Sequence, residues 1–231
     1  MRVARHLAIF NGLFRRLASS AESALMPRRC VFCGRVSNRD EGHVCVGCYA
    51  DLPWIKDDNL ELPFATRPLV AIVAPLYYSF PIDAAIKAFK FHRKLYYQPA
   101  FSDLLLHASA SLPADIDAIL PVPLHRWRHM RRGFNQAVEL AKPLQTYLDL
   151  PLLNNVVRIT ATPYQSGLDA TQRRRNLRSA FRVRGTIMAR HVLIIDDVIT
   201  TAETCRQLAQ VLIANGVTKV SALAIARSGT M

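Results

Sequence analysis

No apolar run in this sequence is long enough to cross a membrane. The longest largely apolar stretch, LVAIVAPLYY at 69–78, is half of the roughly 20 residues that a hydrocarbon core requires. The glycine loops G-x-G-x-x-G and G-x-x-x-x-G-K-[ST] are both missing, which argues against a dinucleotide fold and a P-loop ATPase. There is no solenoid-length repeat and no low-complexity tract. Acids are scarce, 17 Asp and Glu against 30 Lys and Arg, for a net charge of +13. That balance excludes an acidic disordered chain, while 9 glycines and 5 cysteines among 231 residues exclude collagen-like and disulfide-dense scaffolds. What is present, 51% hydrophobic residues, suffices for a real core in one large domain or a domain with a small appendage.

The positive excess points to polyanions such as nucleic acid, anionic lipid or phosphorylated metabolites, without choosing among them. It is unevenly placed: residues 121–184 hold 12 basic and 3 acidic side chains, whereas 51–120 hold 6 and 8. Such an arginine block can collect a multiply charged substrate, and a solvated surface is the plainer alternative. Near the start, Leu7, Phe10, Leu13, Phe14 and Leu17 recur at helical spacing among Arg2, Arg5, Arg15 and Arg16. This predicts a basic amphipathic helix within 1–27 that packs on the body of the protein or touches a membrane or partner. His6, Asn11 and the Arg15–Arg16 pair interrupt what would otherwise read as a signal peptide, so a cytoplasmic location is expected, with a peripheral position at the inner membrane face as the variant the helix allows.

Cys30, Cys33, Cys45 and Cys48 form C-x2-C-x11-C-x2-C, and CVFCGR echoes CVGCYA. Each pair offers two thiolates from one turn, and two such turns facing one another supply the tetrahedral sulfur set that zinc prefers. A structural zinc module over 28–54 is expected; paired disulfides, a redox C-x-x-C and an iron-sulfur cluster are the alternatives. His43 reads as a turn residue, and Cys205, far away, as a buried helix residue. Arg28, Arg29, Arg35 and Arg39 flank the module and would suit nucleic acid, although zinc knuckles also serve as folding staples.

Lys56-Asp57-Asp58-Asn59, followed by Pro63 and Pro68, reads as a linker, and a regular body follows from residue 69 to 231. Helices are predicted over PIDAAIKAFKFHRKLYY, SDLLLHASASL, GFNQAVELAKPLQTYL (with Pro143 as a kink or boundary) and TAETCRQLAQVLIANG at 201–216. Strands are predicted at DIDAILPVPL, VVRI at 156–159, HVLIIDDV at 191–198 and KVSALAIAR at 219–227. Strands separated by helices imply an α/β fold, a mostly parallel sheet covered on both faces.

The strongest chemical signal is VLIIDDVITTAET, Val192 to Thr204. A buried run delivers Asp196 and Asp197 toward the carboxyl end of a strand, where α/β proteins place ligands. Thr200, Thr201 and Thr204 then surround a helix start, whose free N–H groups and positive dipole end favour a phosphate. Adjacent carboxylates are poor phosphate ligands but good acceptors for two vicinal ribose hydroxyls, so the segment predicts a ribose 5-phosphate lying across the turn. The plainer alternative is a Thr-capped helix with acids at its positive end.

IIDDVITTAET resembles the phosphoribosyl diphosphate motif of type I phosphoribosyltransferases. The chain as a whole resembles the ComF/GntX family, amidophosphoribosyltransferase-like proteins linked to competence. The resemblance spans about residues 28–228, through CVFCGR, CVGCYADLPW, YYSFPIDAAIKAFKF, PVPLHRWRHMRRGFNQ, YQSGLDATQRRRNLRSAF and DDVITTAET, in the family's order. It implies a type I phosphoribosyltransferase-like domain in which Asp196 and Asp197 bind ribose and serve catalysis. The phosphate loop would be Thr200, Thr201, Ala202, Glu203 and Thr204, with Ala202 where the family usually has glycine. Pro121, Val122 and Pro123 match the loop where diphosphate would sit. Arg131, Arg132, Gly133, Phe134, Asn135 and Gln136 match the arginine-rich signature. The region 160–180, with Gln165, Arg173, Arg174, Arg175 and Asn176, matches a loop that closes over the site, and Lys90 a position near it.

The resemblance further implies phosphoribosyl diphosphate with magnesium as ligand, and transfer to a nitrogen base or ammonia. It equally implies a role in natural transformation, with competence proteins as partners and single-stranded DNA on an anion-binding scaffold. For Trp127, Phe134 and Phe181, near the arginines, core packing is the expectation and base stacking the alternative.

Overall fold

Branched residues dominate HVLIIDDVI, while KVSALAIAR sets Val220, Leu223 and Ile225 among small residues; near-continuous buried runs of this kind form the centre of a parallel sheet. The computed structural model of the chain describes residues 28–36, 42–55, 68–159 and 180–229. Contacts divide the chain into two units, Met1–Asp51 and Leu52–Met231.

In the first unit the chain turns tightly at Cys30–Gly34, where the Gly34 N–H donates to the Cys30 carbonyl at 2.9 Å and Gly34 adopts φ +73°. A left-handed residue closes this knuckle, which glycine does without a Cβ penalty. Helix α1, Val46–Ala50, starts directly after Cys45 and carries Cys48.

The second unit is built on strands β1 (Leu69–Val73), β2 (Leu76–Tyr77), β3 (Ala118–Pro121), β6 (His191–Ile199) and β7 (Lys219–Arg227). All pair in parallel, in the order β1-β7-β6-β3, with β2 continuing alongside β7 beyond β1. Helices α2 (Ile82–His92), α3 (Gln98–Ser109), α4 (Arg126–Arg132), α5 (Gln136–Leu148) and α6 (Glu203–Ala214) surround it. Val192, Ile194, Val220, Ala222 and Ala224 form one buried cluster with Leu208 and Leu212 of α6. Their alternates Leu193, Ile195, Leu223 and Ile225 are also buried; strand alternation puts them on the opposite face, where α3 meets β7 and α5 meets β6 and β3. The expected α/β architecture, a parallel sheet with helices on both faces, is the one found.

Local details depart from the sequence reading, each for a physical reason. The helix predicted across PIDAAIKAFKFHRKLYY stops at His92, because Arg93 turns left-handed at φ 52°. VVRI does become a strand, β4 (Val156–Arg158), yet it joins β5 (Phe181–Val183) in an antiparallel pair outside the main sheet. Helix α4, within RWRHMRR, was not expected; the His125 side chain caps it by accepting from the Trp127 N–H at 3.4 Å. Pro143 neither kinks nor ends α5 at that point, since the helix runs through to Leu148. A proline at 143 cannot donate to the Glu139 carbonyl, and the Gln98 side chain donates to that oxygen instead, at 3.2 Å. The helix expected to start at 201 begins at Glu203, with Ala202 as an N-cap residue in the left-handed region at φ 55° and no side-chain cap. The predicted amphipathic helix of 1–27 and linker residues 56–67 lie outside the described residues.

Candidate functional site

The hydrogen-bond pattern of the sheet fixes where the two acids stand. Asp196 lies opposite Ala224 on β7, and the Asp196 carboxylate accepts from the Asp197 N–H at 2.8 Å. Asp197 is buried, 6% exposed, and its Oδ1 receives Lys90 Nζ from α2 at 2.7 Å. Burial works against the Lys90 charge, but Asp197 and then Asp196 outweigh it and hold the ammonium above its ordinary range. Asp196 is pushed the other way for an acid: loss of solvation, reinforced by the Asp197 charge, raises it to about 7, against the opposing pull of Lys90. The pair is thus two carboxylates of unlike character, one ion-paired and one disposed to hold its proton near neutrality.

The neighbouring loop is tied to this spot by the backbone. The Val122 N–H donates to the Ile195 carbonyl at 2.9 Å, one residue before Asp196. Asn135 holds the same loop from the other side: its Nδ2 donates to the Val122 carbonyl at 3.0 Å, while its Oδ1 accepts from the Ala137 N–H at 3.1 Å and caps α5. Pro121-Val122-Pro123 therefore lies beside the acid pair.

Of the predicted arginines, Arg132 is brought near. Burial lowers its pKa, the Asp197 charge opposes that, and Arg128 and Arg131 add repulsion. Its guanidinium donates to Gln136 Oε1 at 2.9 Å and lies 5.0 Å from the Phe91 ring centre. Arg131 is exposed, and its charge disfavours that of Arg132. Gly133 suits its place because its φ of +80° is one that L residues rarely adopt; a Cβ there would meet only the end of the Arg93 side chain, at 2.9 Å. Arg173 and Arg174, like Gln165, Arg175 and Asn176, lie outside the described residues.

Along the phosphate loop, Thr200 and Thr201 are exposed, Thr204 is half-buried in the first turn of α6, and Ala202 is buried. The Glu203 carboxylate is engaged within its own helix by Arg206, at 2.6 and 2.9 Å, and by Gln207 at 2.6 Å. Cys205 is buried as expected, and desolvation, then the Asp196 charge, pushes its thiol well above the ordinary range. Phe181 is core and Phe134 packs edge-on against Phe89 at 5.6 Å, but Trp127 is 72% exposed, contrary to the packing expected for it. One residue was missed. Arg158, on β4, has its pKa lowered by burial and by Arg128, with the Asp196 charge opposing. Nothing in VVRI marked it, because only the folding back of β4 brings it toward β6.

In the other unit, the ligand atoms of Cys30, Cys33, Cys45 and Cys48 all lie within 4.8 Å of one another. Cys33 Sγ and Cys45 Sγ are 3.8 Å apart, which matches the separation of about 3.8 Å that tetrahedral zinc imposes on sulfurs about 2.3 Å from it. Desolvation opposes the Cys30 thiolate, but N–H groups of Cys45, Cys33 and Phe32 outweigh it and lower the thiol to about 6. Cys48 is raised by burial and by the thiols around it, a crowding that a bound dication relieves by drawing off the protons. The four cysteines can hold a metal ion.

Comparison with known proteins decides the family. The chain is 34% identical over 210 residues to DNA utilization protein YhgH of Escherichia coli K12, covering 86% of this chain and 90% of that one. It is also 36% identical over 164 residues to competence protein F of Haemophilus influenzae, covering 66% of this chain and 70% of the relative. The chain belongs to the competence protein F (ComF/GntX) family. No family model matches it. Among solved structures, this ComF/GntX member is similar to the glutamine phosphoribosylpyrophosphate amidotransferase of B. subtilis (16% identity, 55% of this chain and 25% of that one, TM-score 0.37). A second likeness is to orotate phosphoribosyltransferase of Aeropyrum pernix (19%, 58% and 61%, TM-score 0.36). At such scores these likenesses add no weight of their own. Among the described residues of this ComF/GntX protein, no helix is long and apolar enough to cross a membrane.

Proposed function

We propose that this protein binds phosphoribosyl diphosphate with magnesium across the turn from Asp196 to Thr204, and that it does so in the setting of competence and DNA uptake. The observation that carries the reading is the junction of β6 and α6: two adjacent acids on a central strand, then a left-handed turn at Ala202 into a helix without a side-chain cap. Helix N–H groups left without partners favour a phosphate. The hydroxyls of Thr200, Thr201 and Thr204 add donors around it, and Asp196 and Asp197 accept from the ribose hydroxyls.

The diphosphate falls to Pro121-Val122-Pro123 and to Arg131, Arg132, Arg173 and Arg174, since guanidinium forks suit phosphoryl oxygens. Magnesium would supply charge neutralisation on the diphosphate, and Asp196 and Asp197 are the residues that would hold the ribose hydroxyls beside it. The acids would stabilise positive charge developing on the ribose as its C1–O bond loosens, making the protein a phosphoribosyltransferase toward a nitrogen acceptor. Lys90 pairs with Asp197 at 2.7 Å and holds it in place. The module around 28–54 holds structural zinc and leaves the chemistry to the domain from 69 to 231.

Calorimetric titration of the zinc-loaded protein with phosphoribosyl diphosphate and magnesium tests this, alongside Asp196→Ala/Asp197→Ala protein shown by circular dichroism to be folded. Saturable binding lost in the variant is the expected outcome. Absence of binding by the native protein would overturn the reading.

A second reading, a non-catalytic factor that handles single-stranded DNA, is favoured by one observation. Trp127 and Met130 are 72% and 70% exposed on the arginine-rich helix α4, and exposed aromatics among arginines stack bases while cations meet phosphates. DNA binding that quenches Trp127 fluorescence, falls steeply with salt and ignores phosphoribosyl diphosphate supports it.

A further inference from the structure

Arg227 stands at the carboxyl end of β7, the edge of a parallel sheet at which α/β proteins place ligands. It is in register with Ile199 on β6 and with Tyr77 on β2, and the Ser228 N–H donates to the Ile199 carbonyl at 3.0 Å, one residue before Thr200. Residues in register across parallel strands face the same side of the sheet. Arg227 therefore shares the side of Ile199 and of Asp197, two residues back along β6. With strands about 4.8 Å apart and a rise of about 3.3 Å per residue, the Cα atoms of Arg227 and Asp197 are about 8 Å apart.

The guanidinium is left in an unusual state. Of the buried polar and charged side chains among the described residues, Arg227 alone makes neither a hydrogen bond nor an ion pair; each of the others, Asp197 and His191 among them, makes at least one. Arg227 is 8% exposed, and its buried Nη1 has no acceptor. The Tyr77 ring centre lies 5.8 Å from its guanidinium carbon, a contact that draws on the positive charge and leaves the N–H groups unanswered. A second orphan lies at the same strand end. The Tyr78 N–H donates to the Arg227 carbonyl at 2.7 Å, and the hydroxyl of the next residue, Ser79, is buried with no partner among the described residues.

A guanidinium taken out of water without a counter-charge is unfavourable, and an anion from outside relieves it. Lys90 is already committed to Asp197, so one unpaired cation remains and matches one negative charge. A carboxylate fits that count and the guanidinium fork; a phosphate dianion exceeds it. The order β1-β7-β6-β3 then separates the two sides of the site, with the acids of β6 between the Val122 loop after β3 and Arg227 on β7. Diphosphate is assigned to the Val122 loop, and displacement at the ribose C1 brings the incoming group to the opposite face.

We propose that Arg227 binds the carboxylate of the nitrogen acceptor, which makes the substrate class an N–H ring or amine that carries a carboxylate. Ser79 adds a hydrogen bond to the same group. In the transfer the C1–N bond forms as the C1–O bond breaks, the C1–O electron pair leaves with diphosphate, and the proton of the acceptor nitrogen passes to water. This rests on the phosphoribosyl diphosphate reading above and adds the acceptor to it.

The test uses the zinc-loaded full chain and two matched pairs, orotate with uracil and anthranilate with aniline, whose members differ by the carboxylate. Each is titrated by calorimetry into protein saturated with magnesium and ribose 5-phosphate, which carries no leaving group; phosphoribosyl diphosphate is titrated separately. Native protein should bind the carboxylate member of at least one pair tenfold or more tightly than its counterpart. Arg227→Gln should erase that preference and Arg227→Lys should keep part of it, with folding checked by circular dichroism. Affinity for phosphoribosyl diphosphate should stay within about twofold in both. Equal affinity within each pair, read on the native protein without any variant, overturns the proposal and leaves the phosphoribosyl reading standing. A preference that survives Arg227→Gln does the same. So does phosphoribosyl diphosphate affinity lost with Arg227, which would put the guanidinium on a phosphate. Native protein that binds no phosphoribosyl diphosphate ends the reading and this inference together.

Discussion

Asp196 holds its proton more tightly in the folded protein, at about 7, than its ordinary value of 3.8 allows once unfolded. Between those values the folded state binds more protons than the unfolded one, so this residue makes stability fall as pH rises from about 4 to about 7, with no further change above. Asp196→Asn keeps the shape and removes the titration. Its melting temperature should therefore gain on that of the native protein across the same window, as followed by calorimetry at a series of pH values. Ala202 offers a second test at this scale. Its φ of 55° is one that L residues enter at a cost of about 1 kcal/mol, and its methyl group is buried with Cys205 and Leu208. Ala202→Gly relieves the first and forfeits the second, so stability should shift by less than about 1 kcal/mol. Removing the Cβ lets backbone approach phosphate more closely, and titration should show several-fold tighter phosphoribosyl diphosphate binding. The acids and the departure at 202 were legible in the sequence because they sit within one continuous motif. Lys90 was legible only by resemblance, and Arg158 not at all, because their places depend on elements far from 196 in the chain.

Among the elements, α5 shows how a local rule is overridden. Pro143 removes one helix hydrogen bond, and Gln98, at the start of α3, repairs the gap by donating to Glu139. Gln98→Ala should cost about 1–2 kcal/mol, the penalty for a carbonyl left unsatisfied. In a Pro143→Ala background, where residue 143 regains its N–H, the same change should cost about 1 kcal/mol less. Denaturant unfolding of the four proteins measures this coupling. The long strands and α6 were legible from their branched runs and helical spacing. Helix α4 was not, because RWRHMRR has no apolar face to bury, and its form depends on the His125 cap and on Gly133 ending it at φ +80°. The pairing of β4 with β5 was equally hidden: a three-residue strand carries too few alternations to say which sheet it joins.

At the scale of the molecule, the contacts divide the chain after Asp51, and among the described residues of the first unit the buried apolar side chains are those of Val44, Cys30 and Cys45. Metal should therefore supply much of its folding free energy. One zinc per chain is expected by elemental analysis, falling to a small fraction in Cys33→Ser/Cys48→Ser protein. Chelation should remove one unfolding transition and leave that of the sheet domain in place; a single transition lost as a whole would show instead that the two units unfold together. The sequence by itself determined the periodicities, the metal-ligating set and the acid–threonine motif, since each depends on neighbours in the chain or on a repeated short spacing. It took the tertiary structure to pair Lys90 with Asp197 and to have Asn135 and Ile195 hold the Val122 loop beside the acids. Those relations join residues 13 to more than 100 positions apart, and what sets them is the order of strands in the sheet and the packing of helices against it, which no local pattern contains.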